Sequence, residues 1–164
     1  HPNGSVVLFR PSSIDMWNPG GSPVWSQGLS QFGGQPQGEA TVAADGRTYF
    51  LTSNARVNVI SSTGQVVSST VLGGLLSDQV IRQDGNLIVL ERQPNFGVAS
   101  EIQGYSKAMN LLWSQPLPID FGMTITVYQR MVFGATGEFV YFGTAGPYTA
   151  ANEAHCYLYA LDAR

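Results

Sequence analysis

Asp84-Gly85-Asn86-Leu87-Ile88-Val89-Leu90 is a polar turn that leads into an apolar strand, and Leu111-Leu112-Trp113 is a second strand that ends in tryptophan further along the chain. The same order occurs where Gly4-Ser5-Val6-Val7-Leu8-Phe9 precedes Pro23-Val24-Trp25, and Cys156 to Asp162 is another strand of this type. A repeated unit of this kind decides the architecture, because each copy can bury its apolar side only against a neighbouring copy.

The spacing of the turns indicates which all-β fold the repeat builds. Asp-Gly pairs favour the positive φ angles of tight hairpins, and Gly46 and Gly85 are 85 − 46 = 39 residues apart, with Gly137 following after 137 − 85 = 52. A period of about 40 to 50 residues is typical of a four-stranded β-propeller blade, while helical periodicity is nearly absent. A β-sandwich, the alternative, gives no reason for repeated Gly and Trp positions.

Several segments together resemble the repeat of a known family. They are Asp45-Gly46-Arg47-Thr48-Tyr49-Phe50, Val59 to Gly64, Asp84 to Val89, Leu112-Trp113 and Leu158-Tyr159-Ala160-Leu161-Asp162. This order resembles the PQQ-like, or quinoprotein-type, β-propeller repeat over essentially the whole chain. The repeats are degenerate, since Val66-Val67-Ser68 replaces the second tryptophan and Tyr105-Ser106-Lys107 stands where the family prefers Ala-Leu-Asp. The resemblance implies a blade and no particular reaction.

The expected fold is therefore an all-β, β-propeller arc of about three and a half four-stranded antiparallel blades that belongs to a larger ring. The first blade begins at its second strand, Ser5 to Phe9, and the last stops after its third, Tyr157 to Leu161. Because open edges are templates for pairing, we expect other polypeptide to complete the ring. The alternative is a self-contained four-blade propeller with a further strand in Pro11 to Pro23. The predicted blades of this single segment are 1–34, 35–75, 76–118 and 119–164.

The composition limits the classes of partner that the chain can bind and indicates its cellular compartment. Charged residues are 12% of the chain, against about 25% in average proteins, and the net charge is −3. This balance provides no basic surface for nucleic acid or anionic lipid. Cys156 is the only cysteine, which excludes a disulfide within the chain and a cysteine-based zinc site. With no apolar run of about 18 residues, we expect no membrane insertion. The uncharged polar residues favour an extracytoplasmic location: secreted, periplasmic or lumenal.

A search for catalytic and metal-binding patterns finds no convincing set. The chain has no P-loop, no Gly-x-Ser-x-Gly and no His-Glu-x-x-His. His155, Glu153 and Cys156 are too close in sequence to converge on one metal, because strand neighbours point to opposite faces. Asp45 and Asp84 are candidate paired acids, but each is expected to cap its own Asp-Gly turn, with Gly46 and Gly85. We predict no catalytic residue, no metal and no cofactor.

The aromatic residues are the remaining candidates. Trp25 and Trp113 are expected to pack between adjacent blades, each with its indole N–H bonded to the backbone of the next blade. Trp17 precedes a Gly-Gly turn, where its ring is expected to be partly exposed and able to contact a sugar or a partner. Loop aromatics either contact partners or fold back over a blade end, and these are Phe32, Phe96, Phe121 and Tyr148.

The sequence is interpreted as a non-catalytic scaffold that binds a protein partner or the remaining blades. One alternative is part of a quinoprotein-type dehydrogenase domain, which requires calcium and a quinone held jointly with absent blades. Another is a carbohydrate-binding propeller, since Asp84 to Leu90 faintly resembles the mannose-binding strand of bulb lectins, with Arg82 in place of the leading Gln. A redox chromophore identifies the first alternative, and glycan binding that depends on Trp17 identifies the second.

Overall fold

A computed structural model describes residues 4–82, 84–93, 100–117, 119–120, 123–124, 126–127, 131–148 and 154–164. In these ranges the secondary structure is β-strand apart from one short 3₁₀ helix, Leu29–Phe32. All strand pairs in these ranges are antiparallel, in agreement with the prediction of antiparallel sheets. Within the same ranges, no helix has the length and hydropathy needed to span a membrane.

The chain divides into two compact units, and the first comprises His1–Gly73 with Gln83–Gly85. It contains a three-stranded first sheet, ordered β1-β2-β3, and a four-stranded second sheet, ordered β4-β5-β6-β7. The strands are β1 (Val6–Phe9), β2 (Ser13–Trp17), β3 (Pro23–Gly28), β4 (Pro36–Val42), β5 (Thr48–Thr52), β6 (Arg56–Ile60) and β7 (Val66–Val71).

The second unit comprises Gly74–Arg82 with Asn86–Arg164. Its four-stranded third sheet has the order β11-β10-β9-β8, β12 pairs with β13, and the fourth sheet is built around β16. β14 and β15 pair with different parts of β16, while β17 pairs along most of its length. The strands are β8 (Leu75–Ile81), β9 (Leu87–Gln93), β10 (Glu101–Ser106), β11 (Leu111–Pro116), β12 (Ile119–Asp120), β13 (Met123–Thr124), β14 (Thr126–Val127), β15 (Val132–Phe133), β16 (Phe139–Tyr148) and β17 (Ala154–Asp162).

Strand β2 lies in the segment Pro11 to Pro23, where the preferred sequence interpretation recognised no strand. The alternation is hidden because Asp15 is buried in the middle of the strand, between the buried Ile14 and Met16. Trp17, which was expected to precede the Gly-Gly turn, is the last residue of β2 and pairs with Val6 of β1. The first sheet therefore has three strands.

The turn before the outermost strand has the same construction in the first three sheets. It comprises residues 18–22, 61–65 and 106–110, and the backbone N–H of its first residue bonds to the carbonyl of its fifth at 2.9, 2.8 and 2.9 Å. The side chain of the first residue accepts the N–H of the fifth at 2.9, 3.0 and 3.1 Å. This shared construction aligns the sheets residue by residue. The fourth residue has positive φ in each: Gly21 at 78°, Gly64 at 86° and Met109 at 63°.

Each unit has its own apolar core. In the first unit the two sheets and the 3₁₀ helix contribute Ile14, Met16, Trp25, Leu29, Phe32, Phe50 and Ile60, with Val7, Phe9 and Ala40 packed against them. In the second unit the core residues are Leu87, Val89, Ile102, Leu117, Met131, Val140, Phe142 and Ala163. Burial of each large side chain contributes about 1.5–3 kcal/mol, so these clusters are the main stabilising element of each unit.

One contact between the first and second sheets is that of Trp25 with the turn at Gly64. A Cβ at Gly64 would lie 2.7 Å from both Cβ and Cγ of Trp25, so only glycine fits there. Two residues further along β3, the Gln27 side-chain amide donates to the Gly64 carbonyl at 2.6 Å. An outer strand of one sheet thus docks on a turn of the next through Trp-x-Gln.

We predict that Gly64→Ala destabilises the protein more than Gly21→Ala does. Both glycines have positive φ, which costs alanine about 1–2 kcal/mol. Only at Gly64 does the new methyl group also overlap Trp25, which adds about 1–3 kcal/mol of overpacking. The measurement is the free energy of unfolding by denaturant titration. Equal losses in the two variants would show that Trp25 does not need this glycine.

Candidate functional site

The first sheet has one face in the core of its unit and an opposite face that is largely exposed. Side chains alternate along a strand, so Val7, Phe9 and Trp25 point into the core and their neighbours point away. Those neighbours are apolar yet exposed: Val6 is 51%, Leu8 45% and Val24 50% accessible. We call this surface the outer face, defined by Val6, Leu8, Asp15, Trp17, Val24 and Ser26.

A hydrogen-bonded polar group lies in the middle of the outer face. The Ser26 hydroxyl donates to Asp15 Oδ1 at 2.6 Å, and Arg10 Nε lies 2.7 Å from Asp15 Oδ2. The hydrogen bond from Ser26 lowers the pKa of Asp15, burial opposes this, and Ser13 and Arg10 lower the pKa further. The Arg10 guanidinium also lies 5.2 Å from the centre of the Trp17 ring. Asp15 is therefore a buried carboxylate stabilised in its charged form.

Equivalent polar groups occur in the second and third sheets. In the second, the Ser69 hydroxyl donates to Asn58 Oδ1 at 2.7 Å, and Arg56 donates to Ser69 Oγ at 3.1 Å. The third sheet uses Glu101, which bonds Arg92 at 2.6 Å, Gln103 at 2.9 Å and Ser114 at 2.7 Å. Ser26, Ser69 and Ser114 each lie eight residues after the start of the turn described above. The group belongs to the blade repeat and is not a separate catalytic set.

The fourth sheet also has an exposed apolar face. Val140 and Phe142 point into the core of the second unit, so Tyr141 between them points away and is 39% exposed. Val132 pairs with Tyr141 and is 53% exposed, and Leu158, opposite Gly143, is 80% exposed. These three side chains form a second surface suited to packing against protein.

Metal-binding groups and a cleft were sought in the described part of the chain. No group of three or more His, Cys, Asp or Glu side chains in these ranges could hold a metal ion. A shallow cleft in the first unit has no ionisable side chain in its lining, which is Pro11, Ser12, Leu29, Ser30, Gly33, Gly34 and Gln35.

Two solved structures are similar to nearly the whole of this chain. A structure titled dihydro-heme d1 dehydrogenase NirN in complex with DHE matches 99% of this chain and 36% of its own, with 11% identity and a TM-score of 0.70. Kuenenia stuttgartiensis hydrazine synthase matches over 98% of this chain and 47% of its own, with 12% identity and a TM-score of 0.75. No family model and no curated protein sequence matches the chain.

The fold is a β-propeller. At 11% and 12% identity the likenesses show the fold alone. The chain spans less than half the length of each of these two proteins. The antiparallel sheets, the repeated turns and the docking of β3 on the next sheet are the elements that build this fold.

The predicted tryptophans differ in what they contact. Trp25 is 8% exposed in the core of the first unit, but its indole Nε1 is buried without a hydrogen-bond partner. The expected bond from this N–H to the next backbone is therefore wrong; Gln27 makes the bond to that turn. Trp113 is partly buried against the core of the second unit and covers Gly104 of its own sheet. Trp17 is half-buried, and its Nε1 also has no partner within the described residues.

The predicted turn residues lie in turns that are close together. Arg47 N–H donates to Asp45 Oδ1 at 3.1 Å, and Gly46 and Gly85 have φ of 82° and 71°. A Cβ at Gly85 would lie 3.2 Å from Ala43 and 3.8 Å from Asp45 Cγ, so the Asp84-Gly85 turn adjoins the Asp45-Gly46 turn. The Asp45 carboxylate also lies 3.6 Å from Arg47 Nε. Its contacts are those of a turn residue.

The loop aromatics have different outcomes. Phe32 is 1% exposed and meets Phe50 edge-on at 5.0 Å, so it is a core residue: of the two alternatives for this loop aromatic, it folds back and does not offer a contact surface. It is buried because the short 3₁₀ helix turns the segment back over the first sheet. Phe96 and Phe121 lie outside the described residues, as does the side chain of Tyr148 in β16. The same applies to the side chains of Glu153, His155 and Cys156.

Sequence reasoning missed the outer face and its polar group. The available signal was the tripeptide Trp-Ser-Gln, which occurs at Trp25-Ser26-Gln27 and again at Trp113-Ser114-Gln115. Only the tryptophan of each copy was interpreted. The serine is the hydroxyl donor of the polar group, and Gln27 is the donor to the next turn.

We predict that Asp15→Asn destabilises the protein near neutral pH and that this difference shrinks in acid. The pKa of Asp15 is lowered by folding, so its contribution is present above the unfolded pKa of about 3.9 and is lost as the pH falls towards the folded value. The measurement is the free energy of unfolding of both proteins between neutral pH and about pH 3.

Asp162→Asn is the matched control. Arg164 lowers the pKa of Asp162 to about 2, but this ion pair is exposed and contributes little to stability. A loss at Asp15 that stays constant across the pH range would show that the charge of its carboxylate is not what stabilises the first sheet.

Proposed function

We propose that this chain is a non-catalytic scaffold of PQQ-like β-propeller blades, which binds protein through its exposed sheet faces. The partner is another protein or further blades of the same ring. The observation that carries the proposal is the exposure of large apolar side chains on two sheet faces, with Val6, Leu8 and Val24 on one and Val132 and Leu158 on the other. Apolar faces rimmed by polar residues mark protein interaction sites.

The pairing of the strands supports the same role. In the described residues β1 pairs only with β2, and β17 pairs only with β16. Each thus presents one edge whose N–H and C=O groups can accept an added strand. The sequence favours an extracytoplasmic site of action, because charged residues are only 12% of the chain and uncharged polar residues provide its polarity.

The two alternative functions have less support from the described geometry. A quinoprotein-type enzyme needs carboxylates that hold calcium around a cofactor, and no metal-binding group is found within the described ranges. A sugar shelf needs an open aromatic face, whereas Arg10 already lies over the Trp17 ring. Addition of calcium and PQQ with a dye acceptor tests the first alternative. A glycan array with the Trp17→Ala variant tests the second.

We predict that the purified chain associates, with a native mass that rises above 17.6 kDa with concentration. Leu158→Glu should shift the mass back towards the monomer, because it places a charge on a side chain that is 80% exposed on the fourth sheet. Val67→Glu is the control, since Val67 is also exposed, at 49%, but lies on the outermost strand of the second sheet.

The measurement is light scattering coupled to gel filtration, with circular dichroism to verify that each variant is folded. A stable monomer at every concentration would contradict the scaffold proposal. Equal effects of Leu158→Glu and Val67→Glu would show that association depends on general hydrophobicity and not on the exposed sheet face.

A further inference from the structure

The outer face of the first sheet has a counterpart in the second sheet that is fully covered. The shared turns align residue 18 with residue 61, so Trp17 corresponds to Ile60, Leu8 to Phe50 and Val6 to Thr48. Ile60, Phe50 and Thr48 are all 0% exposed. At the same positions of the first sheet, Leu8 is 45% and Val6 51% exposed. One repeated surface is thus covered in one sheet and open in the other.

The structure identifies what covers this surface in the second sheet. Phe50 and Ile60 belong to one core cluster with Ile14, Met16 and Trp25 of the first sheet. Trp25 contacts the turn at Gly64, and Gln27 donates to the Gly64 carbonyl at 2.6 Å. The covering element is therefore the inner face of the first sheet. The hairpin of β2 and β3 carries Trp-x-Gln on its outer strand, while Phe9 of β1 and Phe32 of the 3₁₀ helix meet Phe50 edge-on at 5.5 and 5.0 Å.

The first sheet has the matching turn, and no described residue packs against its glycine, Gly21. Gly21 corresponds to Gly64, and its φ of 78° is close to the 86° of Gly64. A Cβ at Gly64 would overlap Trp25, whereas within the described residues nothing lies within 4 Å of a Cβ at Gly21. Gly21 adjoins Val24 on the edge of the same outer face, and its N–H bonds to Asn18 O at 3.0 Å as that of Gly64 bonds to Ser61 O at 3.0 Å.

We propose that the outer face binds an antiparallel blade supplied by polypeptide outside these 164 residues, and that this blade presents Trp-x-Gln on its outermost strand. The tryptophan contacts Gly21, the glutamine donates to the Gly21 carbonyl, and other apolar side chains of the blade cover Leu8 and Val6. The inference rests on the proposed scaffold function and names the kind of partner that one of its faces takes.

The polar group of the outer face is compatible with such a partner. Asp15 corresponds to Asn58, which is 0% exposed beneath the covering sheet and bonds within its own sheet to Ser69 and Thr52. Asp15 is likewise 5% exposed and already bonded to Ser26 and Arg10. An apolar blade can therefore cover Asp15 without leaving its carboxylate unpaired, which avoids the main cost of burying a charge.

The test uses a probe with the sequence of residues 13–28, cyclised head to tail. Ser13 pairs with Gly28, so the ends of this hairpin adjoin and cyclisation compensates for the marginal stability of an isolated hairpin. NMR first verifies that the probe is folded. The 164-residue chain, labelled with ¹⁵N, is then titrated with the probe to millimolar concentration. Binding with shifts at Val6, Leu8 and Gly21 is expected.

Two variants of the chain test whether the probe binds at the outer face. Gly21→Asn should weaken binding at least about tenfold, a loss of about 1.4 kcal/mol, because asparagine tolerates positive φ but fills the space above the turn. Gly38→Asn is the matched control, since Gly38 also has positive φ, at 66°, with nothing within 4 Å in the described structure. Leu8→Glu should weaken binding in the same way and provides a second test if Gly21→Asn does not fold. A probe with its tryptophan replaced by alanine should bind more weakly than the parent.

No binding by the folded probe, or equal binding to wild type, Gly21→Asn and Leu8→Glu, overturns the assignment. Binding that Gly38→Asn weakens as much as Gly21→Asn overturns it as well. These results are separate from the scaffold test, which depends on Leu158 of the fourth sheet. If the native mass still rises with concentration while the probe fails to bind, the scaffold proposal stands and only this partner is wrong.

Discussion

The contact between Trp25 and Gly64 is the constraint on which the first unit depends. The Trp25 ring can approach the turn backbone only because residue 64 has no side chain, and the turn closes only because residue 64 has a φ of 86°. Glycine meets both conditions at once. This contact determines how closely β3 approaches the second sheet, and the closeness lets Gln27 reach the Gly64 carbonyl. Phe50 and Ile60 are buried in the same core cluster as Trp25, where Phe9 and Phe32 also meet Phe50. The packing of two sheets thus follows from one small residue in a turn.

The buried polar groups explain why each sheet keeps its register. A slip by one residue moves every side chain of a strand to the other face. Such a slip would separate Asp15 from Ser26 and Asn58 from Ser69, which leaves a buried carboxylate or amide without its partner. An unsatisfied buried polar group costs about 1–3 kcal/mol, and more when it is charged. The apolar residues supply most of the stability. The Ser26 and Ser69 hydroxyls favour the native strand register, because only in that register do they reach Asp15 and Asn58.

The sequence was informative where local chemistry alone determines the structure. Asp45-Gly46 and Asp84-Gly85 are turns with positive φ because glycine has no competing preference there. Strand β2 could not be recognised locally, since Asp15 interrupts its apolar pattern. The carboxylate of Asp15 is stabilised by Arg10 and by Ser26 of the next strand, β3. Phe32 likewise reads as a loop residue until the 3₁₀ helix places it on Phe50. In both cases one deciding partner, Ser26 or Phe50, lies in a different strand further along the chain. The outer face was missed for a related reason, because only the comparison of exposure between aligned sheets distinguishes an open face from a covered one.

The magnitudes indicate what kind of partner the outer face needs. Val6, Leu8 and Val24 are each about half exposed, so covering them recovers roughly half of the 1.5–3 kcal/mol available per side chain, or about 3 kcal/mol in total. Association of two free molecules costs at least about 4 kcal/mol of lost translational and rotational freedom. Contact with these three residues alone is therefore too weak, which is why the proposed partner needs the additional Trp-x-Gln contact at Gly21. A blade that is held in place by a connected polypeptide avoids most of the association cost, since its effective concentration reaches the millimolar range. The outer face is thus better suited to a blade of the same ring than to a small, freely diffusing ligand.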